Sequence, residues 1–172
     1  MVNAFDDVLS ANEKFAATFT DPGLRGVAAH GLAVLTCMDS RIDPLSMLGL
    51  GKGDAKILRN AGARVTDDML RTLVLSHYLL GVKRVMVVAH TDCGMSSKSE
   101  EQVHATIKEM SGLDSRSLHF AMVSDQESVL RGDVQRVRSS PYLPADMPVA
   151  GAIYDVSTGR LRVVVAADAE AL

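Results

Sequence analysis

The chain has 172 residues, 47% of them hydrophobic and 23% charged, with a formal net charge of −3. That length and balance fit one globular domain (1–172) with a sizeable core. The interspersed charges exclude the basic stripe of a nucleic-acid binder, and the apolar runs are too short to span a bilayer. With three Tyr, four Phe and no Trp, the interior must be built from Val, Leu, Ala and Met, and the nine methionines read as gap-fillers. Met1-Val2-Asn3-Ala4-Phe5-Asp6-Asp7 carries neither a basic nor an apolar signal region, so the expected location is the cytoplasm. A reducing cytosol argues against a disulfide between Cys37 and Cys93.

In chain order, residues 3–19 read as an amphipathic helix with Phe5, Val8, Leu9, Ala16 and Phe19 on one stripe, ended by Asp21-Pro22-Gly23. A first strand is expected over 31–37, followed by a short helical turn that opens at Asp43-Pro44 and closes at Gly49 and Gly51. A second strand covers 55–59 and runs into Asn60-Ala61-Gly62. Thr66-Asp67-Asp68 starts a helix, with a capping hydroxyl and two carboxylates at the positive dipole end, and Gly81 stops it. Strand three is expected over 84–89 and a polar helix over 100–110. Residues 118–123 read either as a short strand or as loop. Ser124-Asp125-Gln126-Glu127 reads as a capping box for a helix to about Arg138, broken by Ser140-Pro141 and Pro144. Residues 149–156 and 161–165 form a hairpin around Ser157-Thr158-Gly159. Strand, crossover and strand alternate, which predicts an α/β fold: a mostly parallel central sheet flanked by helices, closed by a C-terminal hairpin or edge strand.

Cys37-Met38-Asp39-Ser40-Arg41 follows the first expected strand, and His90-Thr91-Asp92-Cys93 follows the third. Two thiolates and an imidazole at the carboxyl ends of parallel strands suit zinc, with a fourth position left for water or a carboxylate. Each cysteine alone reads as a small core hydrophobe, but both with His90 at this spacing read as a metal set. Asp39 and Arg41, two apart, share a face of an extended segment, so the cation keeps the carboxylate ionised. A plain surface ion pair is the commoner meaning of such neighbours; their place after a ligand favours function.

Cys37-x-Asp39-x-Arg41 followed by His90-x-x-Cys93 resembles the signature of the β-class carbonic anhydrases, in their compact branch. Arg59-Asn60-Ala61-Gly62, the helix start at Thr66 and Gly151-x-x-Tyr154-Asp155-x-x-Thr158-Gly159 extend the likeness over about residues 3–165. The resemblance implies a zinc lyase that interconverts CO2 and bicarbonate, one Zn²⁺ per subunit held by Cys37, His90 and Cys93. A zinc-activated hydroxide attacks CO2 while Asp39, braced by Arg41, aims its lone pair. In some members the Asp instead closes onto zinc when the pair breaks, so Asp39 is a fourth ligand in a closed form. The resemblance also implies a homodimer or larger homo-oligomer, with helix 1–20 and Phe5, Phe15 and Phe19 packing on the partner subunit.

Asn60, Ala61, Gly62 and Gly94 are expected to wall the substrate pocket, Gly94 by allowing a tight backbone near the metal. Asp92 is expected to cap the segment after it. His30, His104 and His119 read as surface or packing residues and His77 as a satisfied histidine on an apolar helix face. Without Trp, the family's Trp-Arg-Tyr bicarbonate pocket cannot be built in that form. Relatives on this scaffold hydrolyse carbonyl sulfide or carbon disulfide with the same ligand set, which is the rival enzyme reading. A non-catalytic zinc protein has no need of Asp39 and Arg41, and a thiol phosphatase lacks its Cys-x5-Arg loop.

Overall fold

The computed structural model describes residues 4–21 and 23–167. Apolar runs of strand length give β1 (Leu32–Cys37), β2 (Ala55–Asn60), β3 (Arg84–His90), β4 (Val149–Tyr154) and β5 (Leu161–Val165). Among the described residues four α-helices accompany them: α1 (Asp6–Ala17), α2 (Asp67–Leu80), α3 (Glu100–Ser111) and α4 (Gln126–Arg138). The sheet order is β2-β1-β3-β4-β5. The first four strands are parallel, and β5 returns antiparallel to β4 as the expected hairpin.

Strand β1 is buried along its whole length, which explains why it reads as a continuous apolar run rather than an alternating one. One core unites Ala33 and Leu35 of β1 and Val85 and Val87 of β3 with Leu73 of α2 and Leu130, Val134 and Val137 of α4. On the opposite face Leu32, Val34 and Val88 meet Met47 and Leu48 of the short turn Ser46–Leu48. Buried Thr36 returns its hydroxyl to Val88 O at 2.9 Å.

Local chemistry fixes the helix ends. Thr66 caps α2 by accepting from Met69 N, and Gly81 ends it at φ +75°, where a Cβ would also strike Val27. Ser99 and Gln102 form a reciprocal box at α3. At α4 the cap is Asp125, which accepts from Ser128 N, one residue past the expected Ser124. The carboxylate wins the position because it is the stronger acceptor at a dipole's positive end.

The structure decides one segment the sequence left open and shortens another. Residues 118–123 are loop: the amides of Phe120 and Met122 donate to the Glu100 carboxylate instead of to a strand partner, and Ala121 sits at φ +56°. Helix α1 spans 6–17, inside the expected 3–19, and residue 3 and Pro22 of the expected stop lie outside the described residues. None of its residues is buried, and Phe5, Val8, Leu9, Phe15 and Phe19 are all exposed. The helix period is right, but its apolar stripe joins no core among the described residues. No helix among the described residues is long and apolar enough to cross a membrane.

Candidate metal centre

The chain leaves β1 for β2 on one side and reaches β3 on the other, so the carboxyl ends of β1 and β3 flank a topological switch point. Open α/β sheets bind ligands in the crevice at such points. Cys37 is the last residue of β1, His90 the last of β3, and Cys93 follows three residues on. Their ligand atoms lie within 4.8 Å of one another, and all three side chains are buried. A tetrahedral zinc ion holds such donors about 3.5–4 Å apart, so small side-chain adjustments would bring the three onto one ion.

The hydrogen bonds around the three residues fit a metal. His90 Nδ1 lies 2.9 Å from Thr91 O, a carbonyl that can only accept, so the proton of a neutral ring sits on Nδ1. The lone pair is then on Nε2, which is buried without a hydrogen-bond partner among the described residues. A buried polar atom left in that condition calls for an explanation, and a cation between it and the two sulfurs supplies one. Gly62 N donates to Cys37 Sγ at 3.4 Å. Burial pushes the Cys93 thiol up, and the neighbouring Cys37 adds to the shift. The donor set of two sulfurs and one imidazole matches zinc chemistry with one position open.

Beside the cysteines, Asp39 and Arg41 form the pair the sequence predicts. Arg41 Nε donates to Asp39 Oδ1 at 3.0 Å and Nη2 to Oδ2 at 2.7 Å, a fork-on-fork contact. Side-chain and backbone hydrogen bonds from Arg41 hold the Asp39 carboxyl well below the usual carboxylate range, and Asp39 raises the Arg41 guanidinium in turn. Asp39 Oδ2 lies 3.9 Å from His90 Nε2, so the pair borders the ligand cluster.

Arg59 braces the same loop from below. Its Nε donates to Cys37 O at 2.9 Å and its Nη2 to Asp39 O at 2.6 Å. Asn60 clamps the backbone of Arg64 with both ends of its amide, at 2.9 and 2.7 Å. That closes a tight turn in which Gly62 takes φ +78°, with Met95 only 3.2 Å from where a Cβ would stand. Asn60 and Gly62 thus shape the site's backbone. Gly94 needs no glycine conformation: a Cβ there meets nothing within 4 Å, so the expected close approach is not found.

Several neighbours escaped the sequence reading. Gln126, the first residue of α4, donates from Nε2 to His90 O at 2.6 Å. Arg64 reaches Asp133 at 2.8 Å and Ala121 O at 2.7 Å, and Asp133 is 6% exposed. Asp133, Gln126, Gly62, His90 and Cys93 line one small cavity of about 10 Å³, room for about one water. Asp92 corrects an expectation: among the described residues it caps no amide after it, but accepts from Arg41 Nη1 at 2.7 Å. Of the remaining histidines, His77 bonds Val82 O at the end of α2 as expected, His104 meets Ser115, and His30 faces Asp54 at 3.7 Å.

The family model described as carbonic anhydrase matches residues 32–161. "Beta-carbonic anhydrase 1" of Mycobacterium tuberculosis is 33% identical over 159 residues, covering 92% of this chain and 96% of the relative. A carbonic anhydrase crystal structure from Streptococcus mutans superposes with a TM-score of 0.89 at 39% identity, covering 95% of this chain and 99% of that one. A carbon disulfide hydrolase from Acidianus is 36% identical, with 76% of each chain covered. With the two thiols, the imidazole and the Asp39–Arg41 pair in place at the switch point, this chain belongs to the β-carbonic anhydrase family.

Proposed function

We propose that the chain catalyses the reversible hydration of CO2 to bicarbonate and a proton, with one zinc ion per subunit held by Cys37, His90 and Cys93. The observation that carries this reading is the buried Nε2 of His90 facing two thiols beside a forked Asp39–Arg41 pair. Zinc, when bound, would supply a Lewis acid that makes water far more acidic than in bulk and so a source of hydroxide nucleophile. Asp39, kept ionised by Arg41, is an acceptor only. Its Oδ2, 3.9 Å from His90 Nε2, would accept a hydrogen bond from the nucleophile and so orient it toward CO2. The engagement of the carboxylate by Arg41 supports an open site in this reading, and closure with Asp39 as a fourth ligand would require the pair to break. Asn60, Ala61, Gly62 and Gly94 wall the pocket in this reading.

The exposed apolar stripe of α1 supports a homodimer or larger homo-oligomer, since the Phe5, Val8, Leu9, Phe15 and Phe19 side chains gain most by packing on a second subunit. The reading is of a cytoplasmic enzyme. The Acidianus relative favours a second reading, hydrolysis of carbon disulfide or carbonyl sulfide at the same ligand set. Stopped-flow CO2 hydration, normalised to bound zinc and run beside carbonyl sulfide and carbon disulfide, separates the two. Fast CO2 turnover that grows toward alkaline pH is expected, since two thiolates cancel the ion's formal charge and leave its water less acidic than one held by three neutral histidines, for which the pKa is about 7. Zinc-loaded protein that turns over only the sulfur analogues refutes the first reading.

A further inference from the structure

The guanidinium of Arg41 does more than pair with Asp39. Its Nη1 donates to Asp92 Oδ2 at 2.7 Å, and its Nη2 reaches the Asp92 carbonyl at 3.0 Å as well as Asp39 Oδ2. Together with Nε on Asp39 Oδ1, the side chain makes four hydrogen bonds to two carboxylates and one carbonyl. Asp39 belongs to the loop after β1 and Asp92 to the loop after β3, so one cation ties together the two segments that carry the metal ligands. Asp92 stands between His90 and Cys93 at φ +54°, in the left-handed region that a non-glycine residue enters at a cost. That conformation turns both its carboxylate and its carbonyl onto Arg41.

We propose that Asp92 is a positioning residue for the Asp39–Arg41 pair: it fixes the guanidinium from the β3 side, so that Asp39 stays in its forked contact with Arg41. The inference rests on the carbonic anhydrase reading of the site. Arg41 is 44% exposed and built on a flexible stem, so a single partner would leave it several rotamers. A second carboxylate on the far side of the fork removes that freedom, and with it the freedom of Asp39 to turn toward the metal position. Asp92 itself touches neither Cys37 nor His90 through its side chain in the hydrogen bonds described; it acts through Arg41.

The test compares D92G and D92N with the unaltered zinc-loaded protein. Glycine adopts φ +54° without strain and keeps the carbonyl bond to Arg41, so D92G removes the carboxylate alone. Asn also tolerates the conformation and offers a neutral acceptor. We expect D92G to lower kcat about tenfold with KM little changed and full zinc occupancy, and D92N to lower it less. A second readout is independent of activity: the ¹⁵N–¹H resonance of Arg41 Nε, sharp and slow to exchange in the unaltered protein, exchanges faster in D92G. Unaltered kcat and unaltered Arg41 exchange in D92G, or losses that track zinc content, overturn the proposal. Faster Arg41 exchange in a protein with no CO2 hydration in any form leaves the positioning role standing and removes the carbonic anhydrase reading instead.

Discussion

Replacing Asp133, which lines the small cavity beside His90 and Cys93, by alanine strands the guanidinium of Arg64. The pair is partly dry, with side-chain exposures of 7% for Asp133 and 21% for Arg64. Removing one partner of a fully buried pair costs about 3–5 kcal/mol, because the remaining charge is left without compensation. Arg64 retains some water and a bond to Ala121 O, which brings the expectation to about 2–4 kcal/mol. With a urea m-value of about 2–3 kcal/mol/M for a chain of this size, the unfolding midpoint falls by about 1 M. The measurement is urea unfolding of the zinc-loaded protein at fixed chain concentration, since any subunit association also shifts the midpoint.

The double variant Arg64→Met/Asp133→Leu is the control. It removes both charges, and apolar replacements of a buried pair are often neutral or better. It should therefore recover most of what Asp133→Ala loses. A midpoint shift below about 0.3 M for Asp133→Ala, or a double variant as unstable as the single one, refutes the argument that the pair's desolvation makes it costly to break. Zinc affinity should weaken in Asp133→Ala as well, because the Arg64 backbone is clamped by Asn60 in the turn that presents Gly62 N to Cys37 Sγ.

Gln126→Leu removes the donor on His90 O and should weaken zinc binding about tenfold in a chelator competition, with the fold intact. Gly62→Ala forces a side chain into φ +78° against Met95 and should cost about 1–3 kcal/mol in urea unfolding; an unchanged midpoint would show the turn to be plastic. Since burial holds the Cys93 thiol protonated at neutral pH, zinc binding should release at least one proton there, measurable by calorimetry in buffers of different ionisation enthalpy. Asp39 is depressed, so its contribution with Arg41 is complete above the ordinary carboxylate range and is lost only as pH falls below it. Cys93 is raised, so on acidification zinc content should drop at a higher pH than near-ultraviolet circular dichroism; coincident curves would contradict this order.

What the sequence made legible follows from where the information sits. The strands β1 and β3 are contiguous apolar runs, and α2 and α3 carry their caps within a few residues, so short windows sufficed. The candidate metal group of Cys37, His90 and Cys93 was legible because each residue lies at or just beyond a strand end, where the apolar run stops. Arg59 on Cys37 O, Gln126 on His90 O and Asp133 on Arg64 were not, with 22, 36 and 69 residues between the partners. Asp92 looked like a local cap because its partner Arg41 is 51 residues away. Loop 118–123 has strand-like apolar content, but its amides go to a carboxylate on α3 that no local pattern announces. The stripe of α1 has the right period, yet period alone does not say which chain will cover it.

Strand alternation explains why the candidate metal centre lies at the carboxyl ends of β1 and β3. Thr36 is level with Val88 in the β1–β3 register, so Cys37 is level with Ala89 and His90 stands one residue beyond. Level residues on neighbouring parallel strands share a face, and successive residues point to opposite faces. On an uninterrupted sheet Cys37 and His90 would be divided by the sheet itself. Each is the last residue of its strand, where the alternation ends and their side chains can converge. There Arg59 holds the carbonyls of Cys37 and Asp39, and the left-handed turn at Asp92 brings Cys93 back to the same point. Lengthening either strand by one paired residue would restore the alternation and pull the ligands apart. The chemistry therefore depends on where the two strands stop as much as on which residues they carry.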